Sequence, residues 1–98
     1  MWHLYILWSD RSSKFYIGIS EHPFTRFERH NSDLNTGYTA PGRPWVLKGI
    51  WEAGPLESDG VKVERFIKKQ KNIKIIHHLL NDGELYGPLS HLQRISLQ

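Results

Sequence analysis

The sequence predicts an α+β domain: a small three-stranded antiparallel sheet flanked by helices, in the order β-β-α-β-α-α. Two β-rich runs near the N-terminus are joined by a short polar loop, the pattern of a hairpin. Two later stretches carry helix-start signals and a helical spacing of apolar residues. A third β-rich run lies between them, and no internal repeat or low-complexity segment interrupts the order.

Residues 2–8, "WHLYILW", alternate so that Trp2, Leu4, Ile6 and Trp8 point one way and His3, Tyr5 and Leu7 the other. "SDRSSK" (9–14) is a polar turn and "FYIGI" (15–19) the second strand, which brings Tyr5 and Tyr16 near each other across the hairpin. Pro23 suits the first turn of a helix, with Ser20 or Glu21 near the cap. Phe24, Phe27 and Asn31 then share one face, while His22, Arg26 and His30, four apart, form a separate stripe. That helix is expected to end near "NSD". A loop dense in Gly, Pro and Thr, "NTGYTAPGRP" (35–44), leads into a third strand, "WVLKGIWEA" (45–53). Ser58 or Asp59 is placed to cap the next helix, whose buried side is marked by Val63, Phe66, Ile67 and Gln70, with Glu64 at its margin. "NIKIIHHLLND" adds a further helical turn or two, stopped at Asp82-Gly83.

Ninety-eight residues make one domain with a modest core. Four Trp, four Tyr and four Phe can fill it efficiently. No window approaches the ~18 consecutive apolar residues that span a bilayer, so no membrane association is expected. The N-terminus lacks the basic leader of a signal peptide. The absence of cysteine excludes disulfides and thiolate metal sites, which fits a cytoplasmic protein. A formal net charge of +3 is mild. Its distribution is more informative: Lys62, Arg65, Lys68, Lys69, Lys71 and Lys74 form a dense basic run, either a solvated helix face or a phosphate-contacting one.

Tyr5 in "HLYIL" and the "YIG" at 16–18 resemble the paired motifs of the GIY-YIG nuclease family, with His3-Leu4 replacing Gly-Ile in the first. Three further pieces follow in family order: "FTRFERHN" resembles a helix with R-x-x-x-H-N, "GYTAPGRPWVL" a segment ending Y-T-x-x-x-R-P, and "VERFIKKQK" a helix with E-x-x-I-K-K. The resemblance covers about residues 2–74 and implies a GIY-YIG-like domain over residues 1–84. Residues 85–98 then form a C-terminal tail that docks as a short helix or stays loose. It also implies a divalent-metal-dependent endonuclease that hydrolyses DNA phosphodiester bonds, with RNA as a further candidate polymer. Residue by residue, Arg26 falls on the family's catalytic arginine, His30 on its adjacent histidine and Glu64 on its metal-binding glutamate. Tyr5 or Tyr16 orients or deprotonates the attacking water. Small members often carry a lysine where this chain has Gly37, and a basic residue where it has Ala40. If that lysine contacts phosphate, this chain must use Arg43 or Lys48 instead, or bind more weakly.

The chemistry suits these residue types. Glu64 supplies one hard oxygen ligand to Mg²⁺ or Mn²⁺, an ion that otherwise keeps water and phosphate oxygens around it. Arg26 offers a planar fork of donors to phosphate, which a lysine cannot reproduce. A tyrosine is a poor base at its usual pKa of about 10 unless nearby positive charge favours the phenolate. Gly18 leaves space for backbone or phosphate to approach the strand, and Thr39, Arg43, Lys68 and Lys69 are the expected substrate contacts. Each residue also has an ordinary account. A strand tyrosine packs, Arg26 decorates a surface, and Glu64 with Lys68 makes an i, i+4 pair. Their joint occurrence in family order outweighs those accounts. It does not do so for His22 and Arg29, which are assigned to the surface, or for His77 and His78. The last two diverge by about 100° on a helix and cannot share an ion, and His78 is accounted for by Asp82 at i, i+4.

Two other readings compete. A nucleic-acid-binding module would keep the fold without the chemistry. A partner-binding protein would expose Trp2, Trp8, Trp45 or Trp51 at an interface. Ninety-eight residues leave no room for a separate DNA-reading module, so substrate choice is expected to be weak, structure-dependent or partner-directed.

Overall fold

Strand β1 (Trp2–Ser9) is central in an antiparallel sheet, with β2 (Lys14–Ser20) on one side and β3 (Trp45–Gly54) on the other. These come from a computed structural model that describes residues 1–97. The hairpin runs in strict register, with Tyr5 opposite Gly18 and Leu7 opposite Tyr16. Strands β1 and β3 pair with a register shift between Ile6 and Leu7. Helix α1 (Pro23–Asn31) covers one face of the sheet together with the loop that follows it. Helices α2 (Glu57–Gln70) and α3 (Ile73–Leu80) cover the other.

The alternation along β1 separates two cores. Leu4 and Ile6 pack with Ile17, Trp51, Ala53, Val63 and Ile67 under α2 and α3. Tyr5 and Leu7 pack with Trp45 and Ile50 under α1. Trp45 and Trp51 are thus buried, and Trp2 and Trp8 half-buried, so the tryptophans build the interior rather than an exposed interface.

Several expectations need correction. The sheet has four strands, not three, because β4 (Gln93–Ile95) pairs antiparallel with β3. Three residues are too few for alternation to be readable. Before it, a 3-10 turn (Gly87–Leu89) buries Leu89, and Leu92 is buried after it. In α1 the apolar stripe is rotated from the predicted one: Phe24 is half exposed, whereas Pro23 and His30 are buried. The α1 N-cap is His22, whose N–H donates to Ser20 Oγ at 2.9 Å. Gln70 is exposed, and Gly60 joins Val63 and Ile67 on the buried side of α2. Neither Ser58 nor Asp59 precedes α2 as its cap. Asp59 lies within the helix and reaches back, its carboxylate accepting from Leu56 N–H at 2.9 Å. Helix α3 stops where expected, with Asp82 left-handed at φ 55°. His78, however, pairs with the Glu84 carbonyl at 2.6 Å rather than with Asp82, which binds Arg94.

Candidate active site

Toward α1, β1 and β2 present the hydroxyl-bearing Tyr5 and Tyr16 beside the apolar Leu7, whereas Leu4, Ile6 and Ile17 on the other face are all apolar. Tyr5 lies directly opposite Gly18, and a Cβ on Gly18 would come within 2.5 Å of the Tyr5 hydroxyl. The space at Gly18 is therefore filled by the Tyr5 phenol, which corrects its assignment to phosphate. Tyr16, two residues along β2, is the diagonal neighbour of Tyr5, with ring centroids 6.3 Å apart.

His30, the fourth residue after Arg26 on α1, brings the helix to the strands. Its ring lies 4.9 Å from that of Tyr16, and its Nε2 is 2.9 Å from Tyr5 Oη. Its Nδ1 is 2.8 Å from Thr39 Oγ1, which in turn accepts from Asn35 Nδ2 at 2.9 Å. Counting donors assigns the protons. Thr39 is buried, and with Asn35 donating to its oxygen, His30 Nδ1 is the acceptor left for the threonine proton among the described residues. His30 then carries its proton on Nε2 and donates it to Tyr5 Oη. The result is a directed chain from Asn35 through Thr39 and His30 to Tyr5, whose ends lie on α1's following loop and on β1.

Two ionisations shift accordingly. Burial, then the positive charges of Arg26 and Arg29, lowers the pKa of His30 and keeps its imidazole neutral. Burial, then the neighbouring Tyr16, pushes the Tyr5 phenol well above its usual value; Arg26 opposes the shift and Glu64 adds to it. Tyr5 is thus a neutral phenol in the resting protein.

A cleft of about 260 Å³ opens beside this cluster, lined by Tyr16, Arg26, Arg29, His30, Asn35, Gly37, Tyr38 and Thr39. Of the two tyrosines, only Tyr16 lines it. Glu64 pairs with Lys68 at 3.3 Å, and Lys68 Nζ lies 6.0 Å from the Tyr16 ring centroid. The charge pair on α2 therefore stands beside Tyr16. Tyr5, Tyr16, Arg26, His30, Thr39, Glu64 and Lys68 are brought together from five separate segments of the chain.

Other expected residues stand elsewhere. The Arg43 guanidinium donates to the carbonyls of Ser32 and Ala40 and lies 3.8 Å from Asp33. Its Nε and Nη1 are spent on fastening the loop and it does not line the cleft, which corrects its assignment as a phosphate contact. Lys48 lines a separate depression with Trp8, Phe15 and Ile73, so it does not replace the lysine missing at Gly37. Lys69 is an exposed residue of α2 that does not line the cleft. Asn31, beside His30, is a staple: its side chain accepts from Trp45 N–H at 2.6 Å and donates to Trp45 O at 2.9 Å, tying α1 to β3. Arg29 is a cleft residue rather than plain surface, and its i, i+3 spacing from Arg26 was the available signal. Asn35 carried no signal, because its partner is a side chain four residues ahead in an irregular loop.

Residues 1–75 match the family model of the GIY-YIG catalytic domain. The chain belongs to the GIY-YIG family. No curated protein matches it. The matched segment contains every cleft residue together with Glu64 and Lys68, and it ends before β4. Its fold is nuclease-type, and GIY-YIG domains are generally nucleases that act on nucleic acid and typically depend on a divalent metal. Among the described residues, no three His, Cys, Asp or Glu side chains gather, and no helix is long and apolar enough to cross a membrane. A lone carboxylate suits an ion such as Mg²⁺, which binds through one or two carboxylates and retains several waters. Glu64 fits that role on donor chemistry.

Proposed function

We propose that this GIY-YIG protein is an endonuclease that hydrolyses phosphodiester bonds in DNA. What carries the reading is the convergence of Tyr16, Arg26, Arg29 and His30 on one cleft, with the Glu64–Lys68 pair beside Tyr16. Arg26 and Arg29 grip the non-bridging oxygens of the scissile phosphate, and their charge opposes what develops on it during attack. Tyr16 meets the attacking water, since it borders the cleft while Tyr5 is buried behind it. As the water oxygen bonds to phosphorus, its proton passes to the Tyr16 oxygen while the phenol's own proton leaves to solvent, and the sugar oxygen released as the phosphorus–oxygen bond breaks takes a proton from solvent. Tyr5, held by His30, positions Tyr16 from behind. Glu64 would hold Mg²⁺ or Mn²⁺, which when bound supplies positive charge to the phosphate. Lys68 balances the Glu64 carboxylate in the resting protein and adds a phosphate contact.

The deciding experiment incubates labelled duplex, single-stranded and branched DNA, and matching RNA, with Mg²⁺ or Mn²⁺, comparing the unmodified protein with Glu64→Ala, Tyr16→Phe and Tyr5→Phe. Cleavage lost in Glu64→Ala and Tyr16→Phe, with folding intact, is expected, and Tyr5→Phe should retain more activity than Tyr16→Phe. Salt-sensitive binding that ignores Glu64→Ala, without cleavage of any polymer, would instead identify a binding module of the same fold.

A further inference from the structure

Tyr38 is 77% exposed, the highest exposure among the Phe, Tyr and Trp residues of the chain's described part, yet it borders the cleft that Arg26, Arg29 and His30 line. Nothing in folding accounts for it. Tyr38 joins neither hydrophobic cluster, and among the described residues the one ring interaction it makes is with the ammonium of Lys14, 5.1 Å from the centroid. The backbone around it is nevertheless fixed. Ala40 N–H donates to Gly37 O, the neighbouring Thr39 is buried against His30, and Trp45 Nε1–H donates to Thr39 O at 2.8 Å. An aromatic ring presented to solvent on a pinned loop is pre-organised for a ligand. Gly37 beside it has no side chain to crowd the approach: even a Cβ there would meet nothing nearer than 3.6 Å.

We propose that Tyr38 is a stacking platform for an unpaired nucleobase next to the phosphate held by Arg26 and Arg29, so that the substrate is single-stranded or has a single-stranded segment at the cut. This rests on the nucleic-acid reading of the cleft. The chemistry of the partner follows from the ring. A base inside a duplex has both faces covered by its neighbours, whereas an unpaired base offers one to an aromatic side chain. Lys14 stands over the Tyr38 ring with no ion pair of its own among the described residues, and its ammonium supplies a backbone phosphate contact on the same strand.

The test measures fluorescence anisotropy of labelled oligonucleotides in metal-free buffer at low salt, on the Glu64→Ala protein so that binding is read without cleavage. A single strand, the same strand with abasic positions, and a blunt duplex are compared for Tyr38, Tyr38→Phe and Tyr38→Ala. Expected is about a tenfold or greater loss of single-strand affinity in Tyr38→Ala. Tyr38→Phe should be close to the parent, the abasic strand should mimic the alanine loss, and the blunt duplex should not respond to residue 38. Equal single-strand affinity in Tyr38→Ala, an equal loss on the duplex, or no measurable single-strand binding would each overturn the proposal. Cleavage by the unmodified chain tests the nuclease reading separately. Tyr38-dependent binding without any cleavage sinks that reading alone, and cleavage with Tyr38-independent binding sinks this one alone.

Discussion

The two faces of strand β1 do different work with adjacent residues. Leu4 and Ile6 enter an apolar core closed by Trp51, Val63 and Ile67, where nothing depends on a single atom's direction. Tyr5, between them, enters a core in which one hydroxyl, one imidazole and one threonine must each meet a partner within 3 Å. The apolar face is non-directional and holds the sheet to α2 and α3. The polar face is directional and holds α1 against the sheet at the angle that brings Arg26 and Arg29 to Tyr16. Stability and chemistry are thus divided by the two-residue period of a strand.

The sharpest way to break this division is to damage one face and look for effects on the other. Trp51→Ala is expected to have the largest effect, a loss of about 3–5 kcal/mol from an apolar cavity. Urea unfolding measures it, and cleavage per folded molecule should change little. Arg26→Ala should do the reverse. Single-turnover rates fall about 10²–10³-fold, as for removal of one transition-state donor, while the urea midpoint stays near that of the parent because Arg26 is exposed. Arg26→Lys should recover little of the rate, since a point charge lacks the bidentate fork. An Arg26→Ala protein that cut DNA at the parental rate would remove the arginine from the chemistry.

The polar face should also give the protein a pH response that the apolar face lacks. His30 is neutral in the fold, with its pKa lowered below the ordinary 6.5. As pH falls below that value, the unfolded chain takes up a proton that the native imidazole resists, so stability drops through the window down to the native value and is fully present above it. Comparing urea midpoints of the parent and His30→Gln from pH 7.5 to pH 5 isolates this contribution: the parent should lose more on acidification. Parallel curves would mean that His30 is not held neutral. The smallest effect is expected from Gly37→Lys, which the loop accommodates. It should add one phosphate contact, tighten DNA binding a few-fold at low salt and steepen the salt dependence by about one charge. An unchanged salt slope would place residue 37 outside the DNA path.

Which parts of this were legible in the sequence follows the same division. The alternation of β1 and β2, the Pro23 helix start and the Asp82-Gly83 stop are local, and the structure agrees with each. Tyr5, Tyr16, Arg26, His30 and Glu64 were readable as a set because their order along the chain carries the pattern, and the fold brings them to one place. What escaped depends on contacts that spacing does not encode. Arg43 and Arg26 are chemically identical, and only the folding of the intervening loop decides that one meets carbonyls while the other meets solvent. Gly18 was read from the strand it occupies, but its meaning lies on the opposite strand in the ring of Tyr5. The rotation of α1 was misjudged because apolarity ranks Phe24 above His30. A histidine with both ring nitrogens bonded can be buried at little cost, and here it is.

The fourth strand has a bearing on how this protein must be handled. Gln93–Ile95 caps the outer edge of β3, and Arg94 locks it there, donating to Leu80 O and Asp82 while its guanidinium lies 5.1 Å from the Trp51 ring. The family match stops at residue 75, so a version trimmed to the matched segment would keep every cleft residue and lose that cap. Its β3 would then offer unpaired N–H and C=O groups beside Ile50 and Trp51, a template for strand addition by another copy. Gln93–Ile95 thus covers an edge on the far side of the sheet from the cleft, and a trimmed version that self-associates more than the full chain in sedimentation would show that this cover matters.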